Sequence, residues 1–363
     1  MESPESPTSA VEFSYSGQLI FNGLYTTDPS NLDVDEDDID RLRSRIRELL
    51  PDLTSEYEGG PQKGFQEIEL ESHFDQYRFE DDDARLNQSH QALAHEVLDQ
   101  EYIREEFSGE VEVQTENRRI TGEKVTRHSA YLYWMLPSLL LVQGAKGDRT
   151  RAMSKLNEAA GIINDEGEEE RLIEIEPISF DPLFLLWILY KELNDKPFET
   201  GLTMLNISEV GLYGDEKDFF GKSAKVAGST NIFQSTPFIE GLLKEKLPNQ
   251  IAGKFRVNGQ DLVADVQESG RVHIKAEEDI KRSIKFERVL LGLQFVKELT
   301  TLRQNWEDLP AEDKYPPPTF AVELYERGKD QDVEINFRKQ LVSRLLEERE
   351  EKLNEWPELE VLS

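Results

Sequence analysis

Between residues 251 and 275 apolar and polar residues alternate, and the alternation is broken at Asn258-Gly259 and again at Ser269-Gly270. Asn-Gly readily supplies the positive backbone angles of a two-residue hairpin, and such a hairpin joins antiparallel neighbours only. The segment therefore predicts a three-strand meander. A long amphipathic helix is expected over 277–300. A stiff Tyr315-Pro316-Pro317-Pro318 spacer follows, then a strand over 319–325 and a final charged helix over about 333–354.

The rest of the chain mixes the two periodicities in the same irregular way. Residues 11–15 and 66–74 alternate as strands. Residues 111–125 suggest a hairpin turned near Thr121-Gly122. The apolar run 131–142 is a buried strand, or a pair broken at Pro137. Helical spacing of Ile39, Leu42, Ile46 and Leu49 marks a helix within 35–50, with four acids at its positive end. Asp148 is placed to cap a helix running to about Ala160. Asp181-Pro182 and Thr236-Pro237 carry helix-start signals, and the first opens an almost wholly apolar helix over 184–193. Without regular strand-helix-strand alternation the fold class is α+β, with mixed, largely antiparallel sheets and packed helices. A length of 363 residues suggests two domains. The acid run 164–170 marks the boundary, giving a disordered terminus over 1–10, an N-terminal α+β domain over 11–164 and a C-terminal one over 171–363.

Composition sets the environment. Lys and Arg number 42 against 74 Asp and Glu, a formal charge of −32. That excess repels nucleic acid and anionic membranes over most of the surface, and self-repulsion costs stability unless salt screens it. At about 1 M salt the screening length is only about 3 Å. An acidic chain without cysteine suits the cytoplasm of a salt-accumulating microbe, the alternative being an ordinary acidic cytosolic protein. The absence of cysteine excludes disulfides, thiolate metal sites and cysteine nucleophiles. No leader is expected at the N-terminus, and no apolar run reaches the roughly 20 residues of a membrane helix, so no membrane contact is expected.

Motifs are few. Gly214 to Ser223 ends in Gly-Lys-Ser, but Glu216 stands where a phosphate-binding loop needs glycine. Asp215, Glu216 and Asp218 would face the phosphate. A surface hairpin anchored by Phe219 and Phe220 is the expectation, and no cofactor is expected. His73, His90, His95, His128 and His273 fall at no metal-ligand spacing. Paired carboxylates carry little information in so acidic a chain. No Gly-x-Ser-x-Gly occurs.

One segment departs from the acidic background. Between residues 117 and 156 stand Arg118, Arg119, Lys124, Arg127, Lys146, Arg149, Arg151 and Lys155 against Glu123 and Asp148 alone, a local charge of +6. Tyr131, Tyr133 and Trp134 adjoin them. Cations with aromatic faces suit phosphate contact and base stacking, so the island is the candidate DNA or RNA surface. The competing expectation is that the cations pair internally and the aromatics are core. A smaller cluster, Arg271, Lys275, Lys281, Arg282, Lys285 and Arg288, is explained by local i,i+4 pairing. The leading function is therefore a binding protein contacting nucleic acid. The alternatives are a hydrolase or nuclease with a distributed carboxylate–metal site, and an adaptor that engages a partner, or itself, through the apolar stripe Phe337, Leu341 and Leu345 of the last helix. Whether the chain is an enzyme stays open.

Overall fold

The structure is a computed structural model that describes residues 18–32, 34–35, 38–55, 60–68, 92–107, 120–163, 169–218, 221–227, 232–257, 259–276, 285–329 and 339–362. It is α+β, and every strand ladder within its two units, among the described residues, is antiparallel. The chain divides into two compact units, the first centred on residues 21–177 and the second on 178–363. Among the described residues no helix is long and apolar enough to cross a membrane.

The first unit is built on β1 (Gln18–Asp28), helix α1 (Ile39–Leu49), β2 (Thr54–Ser55), β3 (Gln62–Ile68), β4 (Ala92–Phe107), β5 (Ile120–Met135), β6 (Leu139–Gln143) and helix α2 (Lys146–Ala160). Three short strands close it: β7 (Gly161–Ile163), β8 (Glu169–Arg171) and β9 (Glu174–Pro177). The sheet order is β9-β1-β6-β5-β4-β3-β2, with β7 and β8 paired separately. Asp38 caps α1 by accepting from the Arg41 amide at 3.1 Å. Leu42 and Ile46 of α1 and Ala152, Met153 and Leu156 of α2 bury into one core with Leu93, Val97, Ala130, Leu132 and Trp134 of the sheet. Both helices therefore cover the same sheet face.

Two expectations for this unit change, and a third resolves to one of its alternatives. Thr121 and Gly122 do not turn the chain: they lie inside β5, opposite Glu106 and Glu105, because β4 continues alongside as their partner. The run 131–142 is the pair of strands β5 and β6, broken at a cis Leu136-Pro137 bond. Asp148 does not cap α2. The cap is Ala145, and the Asp148 carboxylate lies in the first turn, bonded instead to His128 Nδ1 at 2.9 Å. Of the acid run 164–170, residues 169–170 belong to β8 and 164–168 lie outside the described residues. So do the strand expected over 11–15, residues 69–74 and residues 111–119.

The second unit carries helix α3 (Pro182–Leu193), β10 (Leu202–Asp218), β11 (Gly221–Ala227), helix α4 (Thr236–Leu243) and the meander β12 (Leu247–Val257), β13 (Gln260–Gln267) and β14 (Val272–Ala276). Helices α5 (Lys285–Glu307), α6 (Thr319–Lys329) and α7 (Gln340–Glu348) complete it. The strand order is β11-β10-β12-β13-β14. Asp181 caps α3 through the Leu183 amide at 2.7 Å with Pro182 in the first turn, and residues 183–189 are all buried. Gly259 and Gly270 take positive φ at the two meander turns. The strand expected over 319–325 is instead helix α6. Phe320, Ala321 and Leu324 recur at helical spacing and all three are buried, and the Phe320 amide bonds the Pro317 carbonyl, so the proline spacer opens a helix.

Candidate nucleic-acid interface

Among the described residues, the basic island does not form one exposed surface. Tyr133 and Trp134 are core residues at 0% and 1% exposure, and they offer no face to a base. The Tyr133 hydroxyl donates to Gln143 Oε1 at 2.8 Å, and the Trp134 indole N–H donates to Thr27 Oγ1 at 3.1 Å. Tyr131 is half-buried. Burial, then the nearby Glu96 carboxylate, raise its hydroxyl pKa, while Arg127 works in the other direction. Stacking by Tyr133 or Trp134 is corrected accordingly: the apolar run they sit in fills the interior.

The cations divide three ways. Arg127 binds Glu96 at 2.9 Å, and the guanidinium of Arg149 donates to the Asn22 carbonyl at 2.6 Å, so both serve the fold. Lys146 is exposed at the start of α2. Arg118 and Arg119 lie outside the described residues, as does the side chain of Lys124, a β5 residue whose backbone pairs with Ile103 of β4.

Arg151 and Lys155 take a different position. They stand one helical turn apart on α2 and so share a face. That face lies over Asp99 of β4. Arg151 approaches Asp99 Oδ2 at 3.5 Å and Lys155 approaches Oδ1 at 3.8 Å. Lys63 of β3, directly opposite Asp99 in the ladder, reaches Oδ1 at 3.7 Å. Glu101, two residues further along β4, lies 3.7 Å from Arg151. His128 sits across the ladder from Asp99 on β5, and its bond to Asp148 ties that strand to α2.

The geometry of this cluster is distinctive. Charge-assisted N–H···O bonds close to about 2.7–2.9 Å. All three cations stop well outside that range, gathered around one carboxylate whose side chain is only 13% exposed. Asp99 thus holds three cations near one point without being tightly bonded to any. With Glu101 and with Asp148, which lines the same small cavity as Asp99, Arg151 and Lys155, three lysine and arginine charges face three carboxylates.

The opposite helix adds charge that inspection of the sequence missed. Helix α1 carries Arg41, Arg43, Arg45 and Arg47 within eleven residues and covers the same sheet face as α2. Arg41, Arg45 and Arg47 are exposed and Arg43 is buried. Arg45 pairs with Glu48 at 2.7 Å, and Arg47 binds Glu67 of β3 at 2.5–2.9 Å. The repeated arginines were visible in the sequence, but nothing local there shows that α1 and α2 lie on one side of one sheet.

The remaining candidates resolve differently. Asp218 and Gly221 pair as β10 turns into β11, so Gly221-Lys222-Ser223 opens a strand and no helix terminus faces a phosphate there. Phe219 and Phe220 lie outside the described residues, as do His73, His90, Phe337 and residues 281–284. His95 is buried beneath the helices. Burial drives its pKa down to about 4, with Glu67 pulling up and Arg47 pushing down. His273 is also lowered, chiefly by burial. Leu341 and Leu345 of α7 are fully buried, so these two residues of the expected stripe offer no exposed face. Among the described residues, no group of three or more His, Asp and Glu side chains could hold a metal ion. Comparison of the chain with protein-family models, with curated proteins and with solved structures gives no match.

Proposed function

We propose that the protein binds nucleic acid through its first unit, using the basic helical layer of α1 and α2 to contact the phosphate backbone. One observation carries the reading: Lys63, Arg151 and Lys155 come from a strand and a helix far apart in sequence, and all lie 3.5–3.8 Å from the nearly buried Asp99. A carboxylate that organises several cations lowers the entropy cost of gathering them on a phosphate. The exposed Arg41 and Lys146 extend the surface along the two helices. With Tyr133 and Trp134 in the core, contact here is to phosphate and not by stacking, so this surface positions the strand without reading its bases.

Such a surface also suits a protein working in molar salt, the condition for which a charge of −32 is fitted. At about 1 M salt long-range attraction is gone and only cations within a few ångströms of a phosphate still count. The test is fluorescence anisotropy of a labelled duplex and a labelled single strand, titrated from about 0.1 M to about 1 M salt. Binding whose logarithm falls linearly with the logarithm of salt is the expected result. No binding of either probe at the lowest salt at which the protein stays folded would end the proposal.

A further inference from the structure

We infer that the protein cleaves single-stranded RNA at the phosphate surface of its first unit, with His128 as the base that takes the proton of the attacking 2′-hydroxyl. The inference rests on the phosphate-binding reading of that surface and adds a reaction to it. Lys63, Asp99 and His128 stand opposite one another on β3, β4 and β5, so their side chains form one row on the sheet face that α2 covers. From α2, Asp148, Arg151 and Lys155 meet that row, and with Asp99 and His128 they line one small cavity. At about 10 Å³ the cavity is smaller than a phosphate, so a strand meets these side chains from outside it.

The two nitrogens of His128 are in different states. Nδ1 lies 2.9 Å from the Asp148 carboxylate. A carboxylate only accepts, so in the neutral ring this bond holds the proton on Nδ1 and leaves a lone pair on Nε2. Nε2 has no hydrogen-bond partner among the described residues, and it is not one of their closed unpartnered atoms, so it is open to solvent. The side chains of His128, Asp148, Arg151 and Lys155 are 32%, 21%, 44% and 25% exposed, so a strand lying on α2 can reach all four. A base oriented by a carboxylate and set among cations suits the removal of a proton from a hydroxyl beside a phosphate. A bond that only tied β5 to α2 would not need the second nitrogen in the open, on a ring that shares its cavity with two cations.

The step balances without a co-reactant. The 2′-oxygen loses its proton to His128 Nε2 and bonds to the adjacent phosphorus. The bond from phosphorus to the 5′-oxygen breaks, and that oxygen leaves with the electron pair and takes a proton from the Lys155 ammonium. The products are a 2′,3′-cyclic phosphate and a 5′-hydroxyl, and exchange with solvent restores both side chains. Arg151 cannot release a proton, so its part is to offset the charge that gathers on the phosphoryl oxygens. The nucleophile is the 2′-hydroxyl, which DNA lacks, and an unpaired strand is free to bring it into line with the bond that breaks. The cluster contacts phosphate and not bases, so cleavage should show little sequence preference.

The test incubates the full chain, with a chelator present, with a labelled single-stranded RNA of mixed sequence and with the DNA strand of the same sequence. Gels and mass spectrometry read the products, and anisotropy reads binding of the same probes. The RNA should be cut to fragments ending in a cyclic phosphate, and the DNA should stay intact. His128→Gln should lower the cleavage rate by about 10²–10⁴-fold while RNA binding stays within about twofold. Asp148→Asn, which acts through His128, should lower kcat by at least about tenfold at unchanged KM, a split that loss of a structural tie would not give. Circular dichroism checks the fold of both variants. RNA that is bound but left intact overturns this inference and leaves the phosphate surface standing, whereas RNA and DNA that are neither bound nor cut overturn both. Cleavage that stops when divalent ions are chelated, or that is undiminished in folded His128→Gln and Asp148→Asn, also overturns it.

Discussion

Removing the cation cluster while keeping the fold gives the sharpest test of the proposed interface. Replacing Lys63, Arg151 and Lys155 by glutamine alone would be a poor experiment. It would strand Asp99, whose side chain is only 13% exposed, without any of its three partners. Breaking a buried pair from one side costs about 3–5 kcal/mol because the remaining charge has lost its compensation. The informative variant is therefore Lys63→Gln, Asp99→Asn, Arg151→Gln and Lys155→Gln together. The cations are 51%, 44% and 25% exposed, so each pair is worth no more than about 1 kcal/mol, and three pairs sharing one acceptor are worth less than their sum. The variant should lose about 1–2 kcal/mol of stability in urea, an amount that shrinks as salt screens the cluster.

The binding prediction follows from geometry. Three cations held within 4 Å of one carboxylate converge on a single seat, so they neutralise one phosphate together. Each neutralised phosphate contributes about −0.9 to the logarithmic salt slope for a duplex and about −0.7 for a single strand. The variant should have a slope shallower by about one phosphate's share. At about 0.1 M salt its affinity should fall by about tenfold, the weight of one charged hydrogen-bonded contact. Near 1 M salt the two proteins should converge. Asp99→Asn alone, which leaves the cations in place, should bind at least as tightly as the parent. A folded quadruple variant with the parent's slope would refute the reasoning, because the cluster would then contact no phosphate.

Trp134→Ala should cost about 3–5 kcal/mol in urea unfolding, since it empties a fully buried indole site and leaves Thr27 without that partner, and it should leave the salt slope of binding unchanged. His95 has its pKa lowered from 6.5 to about 4, so the unfolded chain binds the proton first as pH falls. Its contribution is whole above about pH 6.5 and is lost as pH falls toward about 4, by about 3 kcal/mol in all, and His95→Gln should flatten that part of the stability profile. Gly270→Ala should destabilise the second unit by more than about 1 kcal/mol in thermal unfolding. Its φ is +77°, and an added Cβ would meet the Ile178 carbonyl oxygen at 2.0 Å.

What could be read from the sequence was whatever a few neighbouring residues decide. Asp181-Pro182 starts α3, Gly259 takes positive φ between β12 and β13, and the spacing of Leu42 and Ile46 makes α1, all as local chemistry requires. The errors fall where a partner decides. Gly122 suggests a turn until β4 is seen running beside it, and residues 319–325 suggest a strand until Phe320, Ala321 and Leu324 are seen packing together from one helix. The candidate site was illegible for a further reason. In a chain of charge −32, Asp99 is one of 74 acids, and its neighbours in sequence do not set it apart. Local positive charge was the only available signal, and it pointed equally to Arg127 and Arg149, which are tied to Glu96 and the Asn22 carbonyl, and to Arg151 and Lys155, which are not tightly tied. Burial separates them. An acid removed from water is costly unless cations surround it, and cations held at 3.5–3.8 Å have not spent their hydrogen bonds on it. In a strongly acidic protein, then, an anion site is best sought at a buried carboxylate that gathers more cations than it needs, and not at the stretch of sequence with the most lysine and arginine.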